Sequence, residues 1–295
     1  MTSVQANFFI LGRLEVTTDG ELVALDGTKP RLLLATLLLN ANRTVSNGVL
    51  IEALWLDHPP SSAAANLRTH ISSLRRSSPA IGTRIATERT GYSIFVAPGE
   101  CDLDVFGQLV AEGRRLRAAN QYGKALAAFE EALAVWRDEP LSDLPRSPLW
   151  TAHLSAMTES RRVVSEELLE LRVELGCYAE AEHGLRELIA EEPLRESIWA
   201  QLMLALEGAG RRADALSAYS EIRHRLVAEL GIEPGPELRR IHEAILSGTS
   251  PRHPVILPSA APAQPGSSQR PVERSYFPGL SPLRTTLTAA RLATA

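Results

Sequence analysis

Ser61-Ser62-Ala63-Ala64-Ala65-Asn66-Leu67-Arg68-Thr69-His70-Ile71-Ser72-Ser73-Leu74-Arg75-Arg76 is the stretch on which the reading of this chain turns. On a helical wheel Leu67, Ile71 and Leu74 share one face at spacings of four and three, and that face should bury. Ala65, Thr69, Ser72, Ser73 and Arg76 point the other way, with Asn66, Arg68 and Arg75 at the flanks. Short hydroxyls and amides bordered by arginines suit a nucleic-acid groove. Arginine neutralises phosphate or forks onto guanine, asparagine pairs with adenine, and serine and threonine adapt to either. A solvated helix face carries the same residue types, so the elements on either side must decide between the two readings.

Upstream, Pro59-Pro60 stops the chain, and Ser61 or Ser62 caps the helix that follows. A shorter helix fits 47–54. Another begins after Lys29-Pro30, with Leu33, Leu34, Leu37 and Leu38 on one face and Pro30 in the first turn. Earlier still, Phe8-Phe9-Ile10-Leu11, Leu14-Glu15-Val16-Thr17 and Glu21-Leu22-Val23 are β-prone runs broken by Gly12 and by Asp19-Gly20, a pair suited to a tight hairpin. Downstream, 84–88 and 92–96 alternate like two strands around Arg89-Thr90-Gly91. The order of small sheet, three helices and hairpin resembles a winged helix-turn-helix, whose last helix of the three enters the DNA major groove. In that frame Lys29 and Arg31 stand at the start of the first helix, facing a phosphate or solvent. Arg43 follows that helix and meets DNA or complements its C-terminal dipole. Arg89, Thr90 and Tyr92 belong to the wing, which either reaches the backbone or minor groove or is a plain polar turn.

From Asp102 to about Leu246 the pattern is helical almost throughout, with an internal repeat. Gly176 and Gly210 are 34 residues apart, as are Ala181 and Ala215, and Leu185 and Tyr219. That is the period of tetratricopeptide repeats, helix pairs that stack because one pair cannot bury its own apolar face. Trp199-Ala200-Gln201-Leu202 matches the opening of the pattern. Ala125 and Phe129 belong to an earlier copy displaced by 56 residues, one period plus a 22-residue insertion around Pro140 and Pro148. After Gly248 prolines recur with Ser and Ala, so disorder is expected over 249–295, with 285–293 as a candidate short helix on a partner.

The 295 residues (32.1 kDa) suffice for about two domains. Two cysteines, Cys101 and Cys177, exclude a disulfide scaffold and point to a reducing compartment. The longest apolar run, 32–39, is interrupted by Thr36 and falls far short of the ~20 residues of a membrane span. No signal-peptide pattern opens the chain, so a cytoplasmic protein, nucleoid-associated when bound to DNA, is expected. The net charge of −4 divides into +2 over 1–98, −10 over 99–248 and +4 beyond. An acidic middle disfavours binding a polyanion over the whole surface, so a nucleic-acid site should be local. Phosphate-loop, dinucleotide, zinc-protease and serine-hydrolase motifs are absent, and the seven histidines show no metal-ligand spacing. The expectation is no enzyme, no catalytic residue, no metal and no cofactor.

Several strings are familiar. Phe9-Ile10-Leu11-Gly12 with Leu14-Glu15-Val16, Lys29-Pro30-Arg31-Leu32-Leu33-Leu34-Ala35, Leu37-Leu38-Leu39-Asn40-Ala41-Asn42-Arg43, Leu54-Trp55, the double proline and Gly91-Tyr92 resemble the actinobacterial SARP regulators, the antibiotic regulatory proteins. Val135-Trp136-Arg137, Pro193-Leu194-Arg195-Glu196, Gly210-Arg211 and Glu229-Leu230-Gly231-Ile232-Glu233-Pro234-Gly235-Pro236-Glu237-Leu238 resemble their bacterial transcriptional activation domain. The resemblance implies a mainly α protein in three parts. These are an OmpR-like α/β winged helix over 1–98, an all-α tetratricopeptide-like activation domain over 99–248 and a disordered Pro-rich tail over 249–295. It further implies a pathway-specific activator of a secondary-metabolite (antibiotic) gene cluster that binds direct repeats in double-stranded promoter DNA. Homodimerisation on DNA and recruitment of RNA polymerase holoenzyme belong to the same expectation, with no membrane partner. Larger relatives append a nucleotide-binding ATPase domain, and this chain resembles the small form. One departure stands out: Ser73 occupies a position that is commonly basic in the family. A tetratricopeptide-type protein-binding scaffold, or a repressor using the same DNA-binding domain, is the alternative. The expected DNA contacts are Lys29, Arg31, Arg43, Asn66, Arg68, Thr69, Ser72, Ser73, Arg75, Arg76, Arg89, Thr90 and Tyr92.

Overall fold

Three short strands open the chain in the computed structural model, which describes residues 6–56 and 58–249. β1 (Ala6–Phe9), β2 (Glu15–Thr18) and β3 (Glu21–Leu22) form an antiparallel sheet in that order. The β2–β3 turn is Asp19-Gly20, both at positive φ, which is the conformation that pair favours. Three helices follow, α1 (Thr28–Leu39), α2 (Asn47–Trp55) and α3 (Ala63–Ser77), with the two-residue strand β4 (Val45–Ser46) between the first two. A single turn, α4 (Pro79–Gly82), capped by the Ser78 hydroxyl, leads into β5 (Ile85–Thr87) and β6 (Gly91–Ile94). The second sheet has the order β4-β6-β5 and pairs Val45 with Tyr92 and Thr87 with Tyr92.

The reading of α1 as a helix with one apolar face needs correction. Pro30 and every residue from Leu32 to Leu38 are buried, Thr36 among them. The helix is enclosed: α2 and α3 pack on it, and Trp150 from far along the chain donates its indole N–H to the Thr36 hydroxyl at 3.2 Å. That hydroxyl in turn donates to the Leu32 carbonyl at 2.7 Å, so the one polar side chain in the run is satisfied.

The helical part is built from α5 (Asp102–Ala118) with α6 (Tyr122–Ala134), α7 (Thr151–Glu174) with α8 (Tyr178–Glu191), and α9 (Glu196–Gly208) with α10 (Arg212–Leu230). This is a tetratricopeptide-like stack. α11 (Pro236–Ser247) closes it with Leu238, Ile241 and Ile245. The turns inside the last two pairs hold Gly176 and Gly210 in the left-handed region, at φ 79° and 75°. Asn120, at φ 57°, takes that position in the first pair, 56 residues before Gly176. Asparagine is the side chain that tolerates this conformation best after glycine, which explains how the first copy keeps the turn without the glycine.

One apolar core runs from Ala6 to Leu171, and a second, from Leu169 to Ile245, meets it within α7. The first core therefore crosses from the sheets and three helices into α5, α6 and α7. β1 continues this junction by a parallel bridge from Phe8 to Cys101, the Phe8 N–H donating to the Glu100 carbonyl at 2.7 Å. Next along the chain, the almost fully buried Asp102 carboxylate accepts the backbone N–H groups of Ile10 and Leu11, each at 2.9 Å. The insertion after α6 returns to the residues that link β1 to β2. Arg137 N–H donates to the Leu11 carbonyl and Leu141 N–H to that of Ile10, while Asp143 accepts from Leu14 N–H. The 22-residue interruption of the repeat is thus the strap that fastens the stack to the first sheet. Of the expected tail, all but Thr249 lies outside the described residues, as does the candidate helix at 285–293.

Candidate nucleic-acid interface

α3 divides as its sequence predicts. Ala63, Leu67, Ile71 and Leu74 are buried, while Ala65, Arg68, Thr69, Ser72 and Arg76 are exposed. Ser73, Asn66 and Arg75 are half-buried. Two of the polar groups turn back on the helix: Thr69 donates its hydroxyl to the Ala65 carbonyl and Asn66 its amide to the Ser62 hydroxyl, both at 3.2 Å.

The wing lies beside the C-terminal end of this helix. Arg75 Nη2 donates to the Ile85 carbonyl and to Thr87 Oγ1, each at 2.9 Å, and its guanidinium lies 5.9 Å from the centre of the Tyr92 ring. The turn between β5 and β6 is closed by Glu88 N–H donating to the Gly91 carbonyl at 2.9 Å and leaves Arg89 and Thr90 exposed. On its other side the Asn47 N–H donates to the Thr90 carbonyl at 3.0 Å, tying the wing to the start of α2. Gly91 is obligatory there, since a Cβ on it would stand 1.8 Å from the Val45 carbonyl oxygen.

The remaining expected contacts have other surroundings. Arg31 forms an ion pair with Asp143 and donates to the Leu14 carbonyl, so its guanidinium is spent on the junction rather than free for a phosphate. The Tyr92 ring is 8% exposed and belongs to the core, because its strand is the middle one of its sheet. Lys29 sits over the Trp55 ring at 4.4 Å, and Trp55 neighbours His70 at 6.3 Å. Burial and the Lys29 charge hold the His70 pKa below its ordinary value. Arg43 is exposed; with burial as the larger cause, its charge lowers the pKa of His153.

Among the described residues, the side chains of Arg68, Arg76 and Arg89 make no hydrogen bond or ion pair. The helical stack behaves differently. Arg114 pairs with Glu167, Arg117 with Glu170 and Glu174, Arg172 with Glu130, Arg211 with Glu182, and Arg223 with Glu233. Three unpaired arginines thus stand on α3 and the wing, while Arg13, Arg43, Arg161 and Arg239 are likewise exposed elsewhere, without a side-chain hydrogen bond or ion pair among the described residues. Sequence reasoning missed the carboxylates of the junction, Glu100, Asp102 and Asp143. Their partners are remote in the chain, as with Ile10 to Asp102, and no local pattern marks them. Among the described residues, no cluster of three His, Cys, Asp or Glu side chains is arranged to hold a metal ion, and no helix is long and apolar enough to cross a membrane.

Residues 20–94 match the family model described as transcriptional regulatory protein, C terminal, and residues 101–246 match the bacterial transcriptional activator domain. The regulatory protein AfsR of Streptomyces griseus is 36% identical over 296 residues, covering 100% of this chain but 30% of AfsR. This chain thus spans under a third of that relative. The regulatory protein DnrI of Streptomyces peucetius is 34% identical over 246 residues, covering 80% of this chain and 90% of DnrI. Among solved structures, Mycobacterium tuberculosis EmbR in complex with a low-affinity phosphopeptide superposes with a TM-score of 0.79 at 32% identity, over 83% of this chain and 66% of that one. Fold and matches together define a winged-helix transcriptional regulator with a tetratricopeptide-like activator domain. The chain belongs to the SARP family of transcriptional regulators.

Proposed function

We propose that this chain is a sequence-specific DNA-binding activator, pathway-specific for a secondary-metabolite gene cluster, that binds direct repeats upstream of promoters. α3 enters the major groove and the turn at Arg89 and Thr90 reaches the adjacent backbone, with residues 1–98 reading DNA and 99–248 contacting protein. RNA polymerase holoenzyme is the partner recruited, the chain acts as a homodimer on DNA, and it works in the cytoplasm at the nucleoid. One observation carries the reading: Arg68, Arg76 and Arg89 stand unpaired on the same helix and wing as the exposed Thr69 and Ser72, while most arginines of the stack are tied to carboxylates. The acidic stack supports a division of labour, since net charge of −10 over 99–248 repels DNA and leaves binding to the α3 face. AfsR and DnrI, regulatory proteins of Streptomyces, support the regulatory reading, and the resemblance to the antibiotic regulatory proteins supports the assignment to secondary metabolism.

The test is a gel shift and footprint with the full chain on promoter fragments around its own coding region, at several salt concentrations. A footprint of tandem direct repeats is expected, with a salt slope that falls by about 0.9 for each phosphate contact removed. Absence of any specific footprint with folded protein at low salt overturns the proposal in favour of a protein-binding scaffold. A footprint that lowers transcription in a reconstituted promoter assay makes the chain a repressor instead.

A further inference from the structure

The wing is held from two sides by unequal means. Towards α2 it is fastened by backbone: β4 pairs with β6, and the Asn47 N–H reaches the Thr90 carbonyl. β5 is the outer strand of the sheet order β4-β6-β5, so one of its edges lacks a strand partner. That strand meets α3 through Arg75, whose Nη2 donates at 2.9 Å to both the Ile85 carbonyl and the Thr87 hydroxyl. The Tyr92 ring, 5.9 Å away and itself in the core, backs the guanidinium from the middle strand. The geometry points to Arg75 as a positioning residue that sets the wing against α3, and through it the place of Arg89 on DNA, rather than as a DNA contact itself. This rests on the DNA-binding reading above.

Several features fit that role. One nitrogen carrying two N–H groups serves two acceptors on the same strand, which the planar guanidinium does at no loss of geometry. A lysine at this position keeps the charge but has a single tetrahedral ammonium that cannot also lie flat against Tyr92. Arg76, one residue on, is exposed and unpaired, so adjacent arginines divide the work: one faces solvent and the other the protein. A wing free to shift would place Arg89 away from its phosphate while leaving the α3 contacts in place. The double ties at Arg75 therefore control the spacing between the major-groove contact and the wing contact.

The test combines two readouts on the full chain. First, hydrogen exchange is followed in the DNA-free protein for Arg75→Lys and Thr87→Val. Faster exchange is expected in the amides of β5 and β6 with that of α2 unchanged; unchanged exchange in β5 and β6 overturns the inference without reference to DNA. Second, a double-mutant cycle of Arg75→Lys with Arg89→Ala is measured on the footprinted promoter. In the unsubstituted background Arg89→Ala is expected to weaken binding about tenfold and lower the salt slope by about 0.9. In the Arg75→Lys background its effect should shrink to within about twofold, because coupled residues are not additive. Additive losses, or Arg75→Lys binding like the unsubstituted chain while Arg75→Ala loses one unit of slope, make Arg75 a phosphate contact and overturn the inference. Failure of the unsubstituted chain to bind any promoter overturns the DNA-binding reading instead, and the exchange result then still decides whether Arg75 holds the wing.

Discussion

Arg76 on α3 and Arg137 in the strap carry the same side chain into opposite surroundings. Arg76 is exposed and unpaired, as are Arg68 and Arg89. Arg137 pairs with Glu15 at 2.5 Å, lies 3.5 Å from the Asp102 carboxylate and covers the Phe9 ring at 5.0 Å, while Arg84 grips Glu100 with Nη1 and Nη2. The junction spends its arginines on neutralising carboxylates that folding has taken out of water. The α3 face spends none. The unpaired arginines of α3 and the wing are the charges that the proposed DNA contact uses, and a stability measurement and a salt titration should separate the two regions.

The largest effect is expected at the junction. Asp102→Ala leaves the buried N–H groups of Ile10 and Leu11 without an acceptor, at about 1–3 kcal/mol each. Denaturant unfolding of the full chain should register the sum, and a loss under ~1 kcal/mol would mean the Asp102 bonds do not hold the start of α5 to the chain leaving β1. Gly91→Ala comes next. The added methyl collides with the Val45 carbonyl, so β4 and β6 must part, at about 1–3 kcal/mol of overpacking strain. This substitution breaks the contrast between the regions on purpose, because it strains the wing while leaving every Asp102 bond intact. Weakened DNA binding with an unchanged junction, followed by footprint and hydrogen exchange, is the expected result.

A smaller effect should appear with pH. Burial pushes the Glu100 carboxyl up, but the Arg84 fork and the Ala97 N–H outweigh it and hold the pKa below that of an ordinary glutamate. The folded state therefore favours the ionised form. Its stabilisation is complete above the unfolded pKa of about 4.5 and is lost as pH falls through the lower, folded value. Urea midpoints should decline more steeply below that pH in the unsubstituted chain than in Glu100→Gln, and parallel declines would show that the pair contributes nothing specific.

How much of this was readable from sequence follows from how local each signal is. The inward face of α3 could be read because Leu67, Ile71 and Leu74 alternate with polar residues at helical period. The stack could be read because two of its turns stand 34 residues apart, each with a left-handed glycine. α1 defeated the same method: with Leu32 to Leu38 apolar at nearly every position, no face is distinguished, and burial on all sides comes from elements the local pattern does not contain. β4 is two residues long and has no period to detect. The junction carboxylates look like any surface acid until Ile10 and Leu14 are brought to them. For the same reason Arg31 and Arg76 were indistinguishable as phosphate contacts, since the sequence shows a charge but not the partner that claims it.

Arg76→Ala should have the smallest effect on the free protein and the clearest one on DNA. An exposed side chain with no partner among the described residues leaves stability within about 0.5 kcal/mol when removed. Its loss from the complex should instead lower the salt slope by about 0.9, since one fewer counterion is released. Arg172→Ala is the matched control: it breaks the exposed pair with Glu130, at about 0–1 kcal/mol of stability, and should leave the slope alone. If both substitutions lowered the slope equally, the stack would be touching DNA, and the division between a reading face and a neutralised body would fail. If neither did, α3 would not lie in the groove. Only a drop confined to Arg76 fits free charge on α3 meeting phosphate, while paired charge elsewhere holds the fold together.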